Sequence, residues 1–161
     1  MDKPLYWRQG LFLQPQHLQL SDRYALSQAS TWQRLGQPYM EGVAHLEIRE
    51  DGLGEKLLDV LRGGFLFPSG DYAEFPGNAH LAARAFEQDW IQGDKPFTIY
   101  VGLKKWLPGA ANVTEIDDWE NAAQASTMFV TPRNPETVPD LHADGPHGEA
   151  HPLTYALKLF W

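Results

Sequence analysis

One boundary near the start of the chain constrains everything around it. An aromatic and apolar lead-in (Trp7, Leu11, Phe12 and Leu13) runs into Pro15, and a polar stretch follows. Proline suits the first turn of a helix, where its missing N–H forfeits no hydrogen bond and its fixed φ is already helical. Gly36 followed by Pro38 closes the stretch, a pairing that stops helices. The spacing therefore predicts a helix over 15–35. Gln14 is a poor N-cap residue, so the residues alone leave the helix's first position open. One stripe of this helix carries His17, Leu20, Tyr24, Gln28, Thr31 and Leu35, and a second carries Leu18, Ala25, Ala29 and Trp32. Neither is strongly apolar, which predicts a surface helix with a narrow buried seam. Ahead of it, residues 1–13 read as an extended arm. Pro4 disfavours helix before it, and Leu5, Trp7, Leu11 and Leu13 alternate loosely around Gly10, as in a short kinked strand.

Beyond Pro38 the pattern turns to β. Val43 to Ile48 alternates. Leu57 to Leu61 is a compact apolar run, Gly63-Gly64 reads as a strand break, and Phe65-Leu66-Phe67 leads into Pro68-Ser69-Gly70-Asp71. That tetrapeptide predicts a turn, because proline presets φ and glycine supplies a positive φ. Tyr72 to Phe75 returns from it, giving the clearest hairpin in the chain. His80 to Trp90 fits either a short helix or a loop. Phe97, Ile99, Val101 and Leu103 alternate as a strand, and residues 104–127, rich in small and acidic types, read as loop. Met128 to Thr131 is a short strand, residues 132–152, rich in proline and histidine, a long ordered loop or an exposed excursion, and Thr154 to Trp161 a final strand with Tyr155, Leu157, Leu159 and Trp161 facing one way. The expected fold is mainly β: a β-sandwich, or a rolled antiparallel sheet, with long loops over 43–161 and one N-terminal α-helix. With 161 residues the chain suits a single domain that needs no disulfide or metal to hold it. Its abrupt stop on an apolar strand at Trp161 suggests a fragment of a longer protein.

Charge and composition narrow the function classes. Twenty-one acidic against 13 basic residues give a net charge of −8, which speaks against a nucleic-acid surface. Cysteine is absent, so a disulfide framework and a cysteine-ligated zinc are excluded. No stretch approaches the roughly 18 apolar residues of a membrane helix, and the N-terminus lacks the apolar run of a signal peptide. A cytoplasmic protein is the simplest reading. Six Trp, six Tyr and eight Phe supply either core or interface, and composition alone does not separate the two.

Candidate chemistry is sparse. His142, His147 and His151 lie among Asp140, Asp144 and Glu149, residue types that bind divalent metals, but their spacing matches no ligand pattern and a solvated loop is the expectation. His17 with Asp22 and Arg23 has the composition of an acid–base cluster. On a helix, however, His17 and Asp22 do not share a face, so a structural histidine at the helix start is expected. Glu115, Asp117, Asp118 and Glu120 lack the glycine turn and ligand offsets of a calcium loop. There is no nucleophile elbow, phosphate-binding loop or dinucleotide fingerprint. No cofactor and no catalytic residue are expected.

The opening stretch resembles the TssK family, also called ImpJ or VasE, of bacterial type VI secretion. That family starts with a tryptophan, a glycine, an apolar pair, then a PQH-aromatic-Q sequence leading to a polar helix with D-R-Y. Trp7, Gly10, Phe12, Leu13, Pro15, Gln16, His17, Gln19, Asp22, Arg23 and Tyr24 match. Leu11 stands where methionine is usual and Leu18 where phenylalanine is usual. Gly64, Pro68, Gly70 and Pro76 match a second region, with Ser69 in place of the usual aspartate, and the terminal YALKLFW resembles the strand closing the family's N-terminal domain. The resemblance implies a non-enzymatic structural adaptor of the secretion baseplate. It implies an N-terminal β-sandwich similar to the shoulder of phage receptor-binding proteins, in a longer subunit that forms homotrimers. This domain would attach to the TssF and TssG wedge subunits, while domains absent from this sequence would meet the TssL and TssM membrane complex. The matched residues from Trp7 to Tyr24 would be the partner-binding or structural motif. A carbohydrate-binding β-sandwich is the alternative suggested by the aromatic content.

Overall fold

A computed structural model describes residues 2–88, 90, 96–140, 142 and 144–161. Along the chain run α1 (Pro15–Gly36), β1 (Gly42–Ile48), a short α2 (Glu50–Gly54), β2 (Leu57–Leu58), β3 (Val60–Leu66), β4 (Tyr72–Phe75), β5 (Ala79–Leu81) and β6 (Arg84–Ala85). These are followed by β7 (Tyr100–Leu103), β8 (Val113–Ile116), a 3-10 helix (Trp119–Gln124), β9 (Phe129–Pro132), β10 (Glu136–Val138), β11 (Gly148–Ala150) and β12 (Thr154–Phe160). The fold is therefore mainly β with one long N-terminal helix, as expected. The chain forms two compact units. One comprises the residues up to Gly42 together with Leu66–Tyr72, and the other Val43–Phe65 and Ala73–Trp161.

In the first unit α1 starts where Pro15 sets it and is followed by the C-cap Gln37, whose N–H donates to the Gln33 carbonyl. No residue of this 22-residue helix is buried. The turn at the tip of the β3–β4 hairpin belongs to the same unit. Phe67 N–H donates to the Asp71 carbonyl at 2.9 Å, Gly70 N–H donates to the Phe67 carbonyl at 2.8 Å, and Gly70 has φ +88°. A Cβ on Gly70 would lie 2.6 Å from the Ser30 Cβ of α1. Glycine at this position thus serves both the turn and its close approach to the helix.

The second unit holds the core. Every buried apolar residue among the described residues lies between Leu58 and Leu159. Its main sheet is centred on β12, which pairs parallel with β5 and antiparallel with β7 and β9, while β8 pairs parallel with β9. Ala156, Leu157 and Leu159 are all buried, so side chains on both faces of β12 are covered and the simple in–out alternation expected for this strand is lost in its middle. Ile116, Ala122, Ala125, Val130 and Ala156 form one packed cluster. A second sheet has the order β1-β3-β4.

Several expectations are corrected. Gly63-Gly64 does not break a strand, since β3 runs through both residues. The absent side chain of Gly63 leaves room for the Phe65 ring, whose Cζ would lie 2.5 Å from a Cβ there. In the stretch from His80 to Trp90 the described residues hold the end of β5 and all of β6, which pair with β12 and β2. Residues 104–127 contain β8 and the 3-10 helix, and 132–152 contains the antiparallel pair β10–β11. The strand expected from Phe97 begins only at Tyr100. The arm forms no strand among its described residues. It carries a turn at Gly10 (φ +76°), with Leu11 N–H donating to the Arg8 carbonyl at 3.2 Å. Asp89 and residues 91–95, in the mixed stretch, and residues 141 and 143, in the proline-rich loop, lie outside the described residues.

Candidate partner-binding surface

The stretch from Trp7 to Tyr24 is assembled by the start of α1. Gln14 holds the extended conformation of an N-cap (φ −127°, ψ 155°), and its backbone N–H donates to His17 Nδ1 at 2.9 Å. The histidine thus occupies the third helical position and reaches back as a Glu or Gln does in a capping box. This is the structural role expected of it, and it fixes the ring: Nδ1 accepts, so the neutral imidazole carries its proton on Nε2. Trp7 lies beside that ring, with centroids 6.5 Å apart and planes tilted by 47°. Arg23 reaches back along the arm to Asp2 at 3.4 Å, a partly exposed pair that adds little stability by itself. The helix start therefore organises the arm through one cap, one ring contact and one ion pair.

Not all the motif residues meet. Asp22 is exposed and forms no ion pair with His17 among the described residues, as the helical spacing predicts. Gln16, Gln19 and Pro15 are exposed, and Tyr24 is half-buried, its carbonyl accepting from Ser27 Oγ at 2.9 Å. Trp7 is 52% exposed, Phe12 81% and Leu13 54%. Tyr6 and Tyr39, which sequence reasoning did not single out, are more than two-thirds exposed, and so is Trp32, which the expected buried seam of the helix includes. An aromatic ring facing outward has no signature in composition.

Both units expose aromatic rings, Tyr100 and Phe160 among them in the second, but the second unit also packs a cluster of them. In the second unit Phe86, Trp90 and Phe97 contact one another and Trp161 joins them through Phe97, with centroids 5.6 to 5.9 Å apart, and Lys56 and Arg84 lie over the rings of Trp90 and Trp161. In the first unit large apolar side chains stand in solvent from Tyr6 to Met40. Scattered exposed leucines are ordinary, but a run of this density on one arm and one helix makes this the candidate interaction surface.

The other candidate groups resolve as structure. Arg133 bridges Asp117 at 2.6 Å and Glu115 at 3.7 Å, and Asp118 caps the 3-10 helix by accepting from Glu120 N–H at 3.3 Å. His151 Nδ1 sits 3.0 Å from the Pro132 carbonyl, and His142 and His147 are exposed. Among the described residues no three of His, Asp and Glu converge as a metal site would require.

This fold is that of solved TssK chains. It matches a crystal structure of TssK with a TM-score of 0.80 at 17% identity, covering 99% of this chain and 34% of that one. It matches a chain in a cryo-electron microscopy structure of the TssK-TssF-TssG baseplate subcomplex of the type VI secretion system with a TM-score of 0.79 at 18% identity, covering 99% and 51%. A chain of the type VI baseplate complex gives 0.76 at 19% identity, covering 99% and 49%. The chain thus spans about a third to a half of the solved chains it resembles. No curated protein matches it in sequence. Residues 17–161 match the family described as "Bacterial Type VI secretion, VC_A0110, EvfL, ImpJ, VasE", and the chain belongs to that family, the TssK family.

Proposed function

We propose that the chain is the N-terminal, shoulder-like domain of a TssK-like baseplate subunit and works as a non-enzymatic adaptor. It attaches the subunit to TssF- and TssG-like wedge proteins in the cytoplasm, within a homotrimer, and further domains reach the TssL and TssM membrane complex. The observation that carries this reading is α1 and its arm: a 22-residue helix without one buried residue, led by outward-facing Trp7, Phe12 and Leu13. Helices in globular proteins owe most of their stability to a packed apolar face, so such a helix is completed by a partner. Membership in the TssK family, and the naming of TssF and TssG beside TssK in a similar structure, support the identity of that partner. Large aromatic anchors at a desolvated interface contribute most of its binding energy, which gives Trp7 and Phe12 the leading roles. No observation favours carbohydrate binding. Co-expression of the tagged full-length parent with TssF and TssG from the same genome tests the proposal. Stoichiometric co-purification supports it, and a parent that elutes without either wedge protein refutes it.

A further inference from the structure

The main sheet of the second unit forks, and the fork opens a groove. Tyr155 of β12 pairs with Ala79 of β5 and with Phe129 of β9, whereas Leu157 pairs with Leu81 of β5 and with Leu103 of β7. A strand has two edges, so β9 and β7 lie end to end along the edge opposite β5. Where they meet, both turn off: β7 into Lys104–Leu107, and β9 back into Ala125–Thr127. The space between is a groove of about 560 Å³ that runs over Ala156, Lys158 and Phe160, alternate residues sharing one face of β12. Its far wall is fixed by Asn112. The Asn112 side chain accepts from Leu107 N–H at 2.8 Å and donates to the Leu107 and Ala110 carbonyls, each at 2.9 Å.

The groove is apolar in its lining yet carries Lys104, Lys105 and Lys158, half of the chain's six lysines. None of the three is in an ion pair among the described residues, whereas Arg23, Arg49 and Arg133 each hold a carboxylate. In a chain of net charge −8, an apolar cleft lined by three lysines and no acidic residue has a local charge opposite to that of the chain as a whole. Lys158 and Phe160 stand two residues apart on one strand, roughly 7 Å. An extended peptide presents its alternate side chains at the same interval, so a carboxylate over Lys158 and an apolar side chain against Phe160 fall in register.

We propose that this groove binds an extended acidic segment of a partner protein, one carrying Asp or Glu two residues from an apolar side chain. The apolar contact supplies affinity by burial, and the lysines supply orientation and selection against basic segments. This proposal concerns residues of the second unit alone and stands whether or not the arm and α1 bind the wedge.

The test is to pan a phage-displayed random library of peptides about ten residues long against the full chain, then measure the selected peptides by fluorescence polarisation. The expected result is enrichment of acidic residues two positions from Leu, Ile or Phe. Binding should weaken with added salt and fall by about tenfold or more in a K104Q/K105Q/K158Q variant whose circular dichroism is unchanged. Selected peptides without an acidic excess, or ones that bind the triple variant equally, would overturn the proposal. So would free glutamate or citrate competing at the peptide's own concentration, which would make the site one for small carboxylates.

Discussion

Gly70 at the hairpin tip and Ser30 on α1 approach so closely that a Cβ on the glycine would stand 2.6 Å from the serine's Cβ. The glycine also holds φ +88°, which L side chains rarely adopt. The turn and the helix of the first unit are therefore fitted together at a point where neither side has room to spare. This gives Gly70, one of the family-matching residues, a physical reason to be glycine.

Gly70→Ala is expected to destabilise the first unit by about 2 kcal/mol or more, from backbone strain and the Ser30 contact together. Ser30→Gly should restore part of that loss by relieving the contact and leaving the strain. Limited proteolysis of α1 in the three variants measures the order, and equal protection in wild type and Gly70→Ala would contradict it.

His17 caps the helix by accepting from Gln14 N–H. Replacing it with Ala should cost about 1 kcal/mol of local stability, while Gln, which keeps an acceptor on a reach suited to a capping box, should cost less. Amide hydrogen exchange at Gln14 reads this directly. Faster exchange in His17→Ala than in His17→Gln is the expected outcome.

His80 lies between Phe75 and Trp119, with ring centroids 6.5 and 5.6 Å away. Its burial there pushes its pKa below the ordinary 6.5. A histidine kept neutral in the folded state binds its proton more readily when unfolded. Stability is therefore full above 6.5 and declines as pH falls from there through the lowered folded value. Urea midpoints from pH 7.5 down to 5 should fall more steeply for wild type than for His80→Phe. Parallel curves would contradict this.

Asn112 is buried, and its side chain closes the loop that walls the lysine groove. Asn112→Ala leaves the Leu107 N–H and two carbonyls without that partner, and should cost about 2 kcal/mol. It should also weaken any peptide selected for the groove more than a surface change such as Lys3→Gln does.

What the sequence made legible were the features with local punctuation. Pro15 and Gly36 bounded the helix, Pro68 and Gly70 marked the hairpin, and the apolar run from Thr154 marked the last strand. What it hid were pairings made at long range. Ala79–Leu81 sits in an alanine-rich stretch that suits a helix, yet it pairs in parallel with Tyr155–Leu157, more than seventy residues away, and tertiary context overrides propensity. Val113–Ile116, next to an acidic run, becomes a strand because β9 lies beside it. The candidate surface was half legible. The motif identified the arm and the capping histidine, but only the structure showed that Phe12 faces outward and that no residue of α1 is fully buried. Nothing local in Lys104-Lys105 revealed Lys158, which the fold brings to the same groove.

The measurement that tests the central claim most directly is the affinity of the full-length parent for purified TssF–TssG, compared among wild type, Trp7→Ala and Phe12→Ala. The arm-and-helix surface predicts a loss of about tenfold or more for each substitution, with circular dichroism and the unfolding midpoint unchanged. Unchanged affinity would contradict it, and so would loss of binding that only accompanies unfolding, which would make the arm part of the core instead of a docking surface.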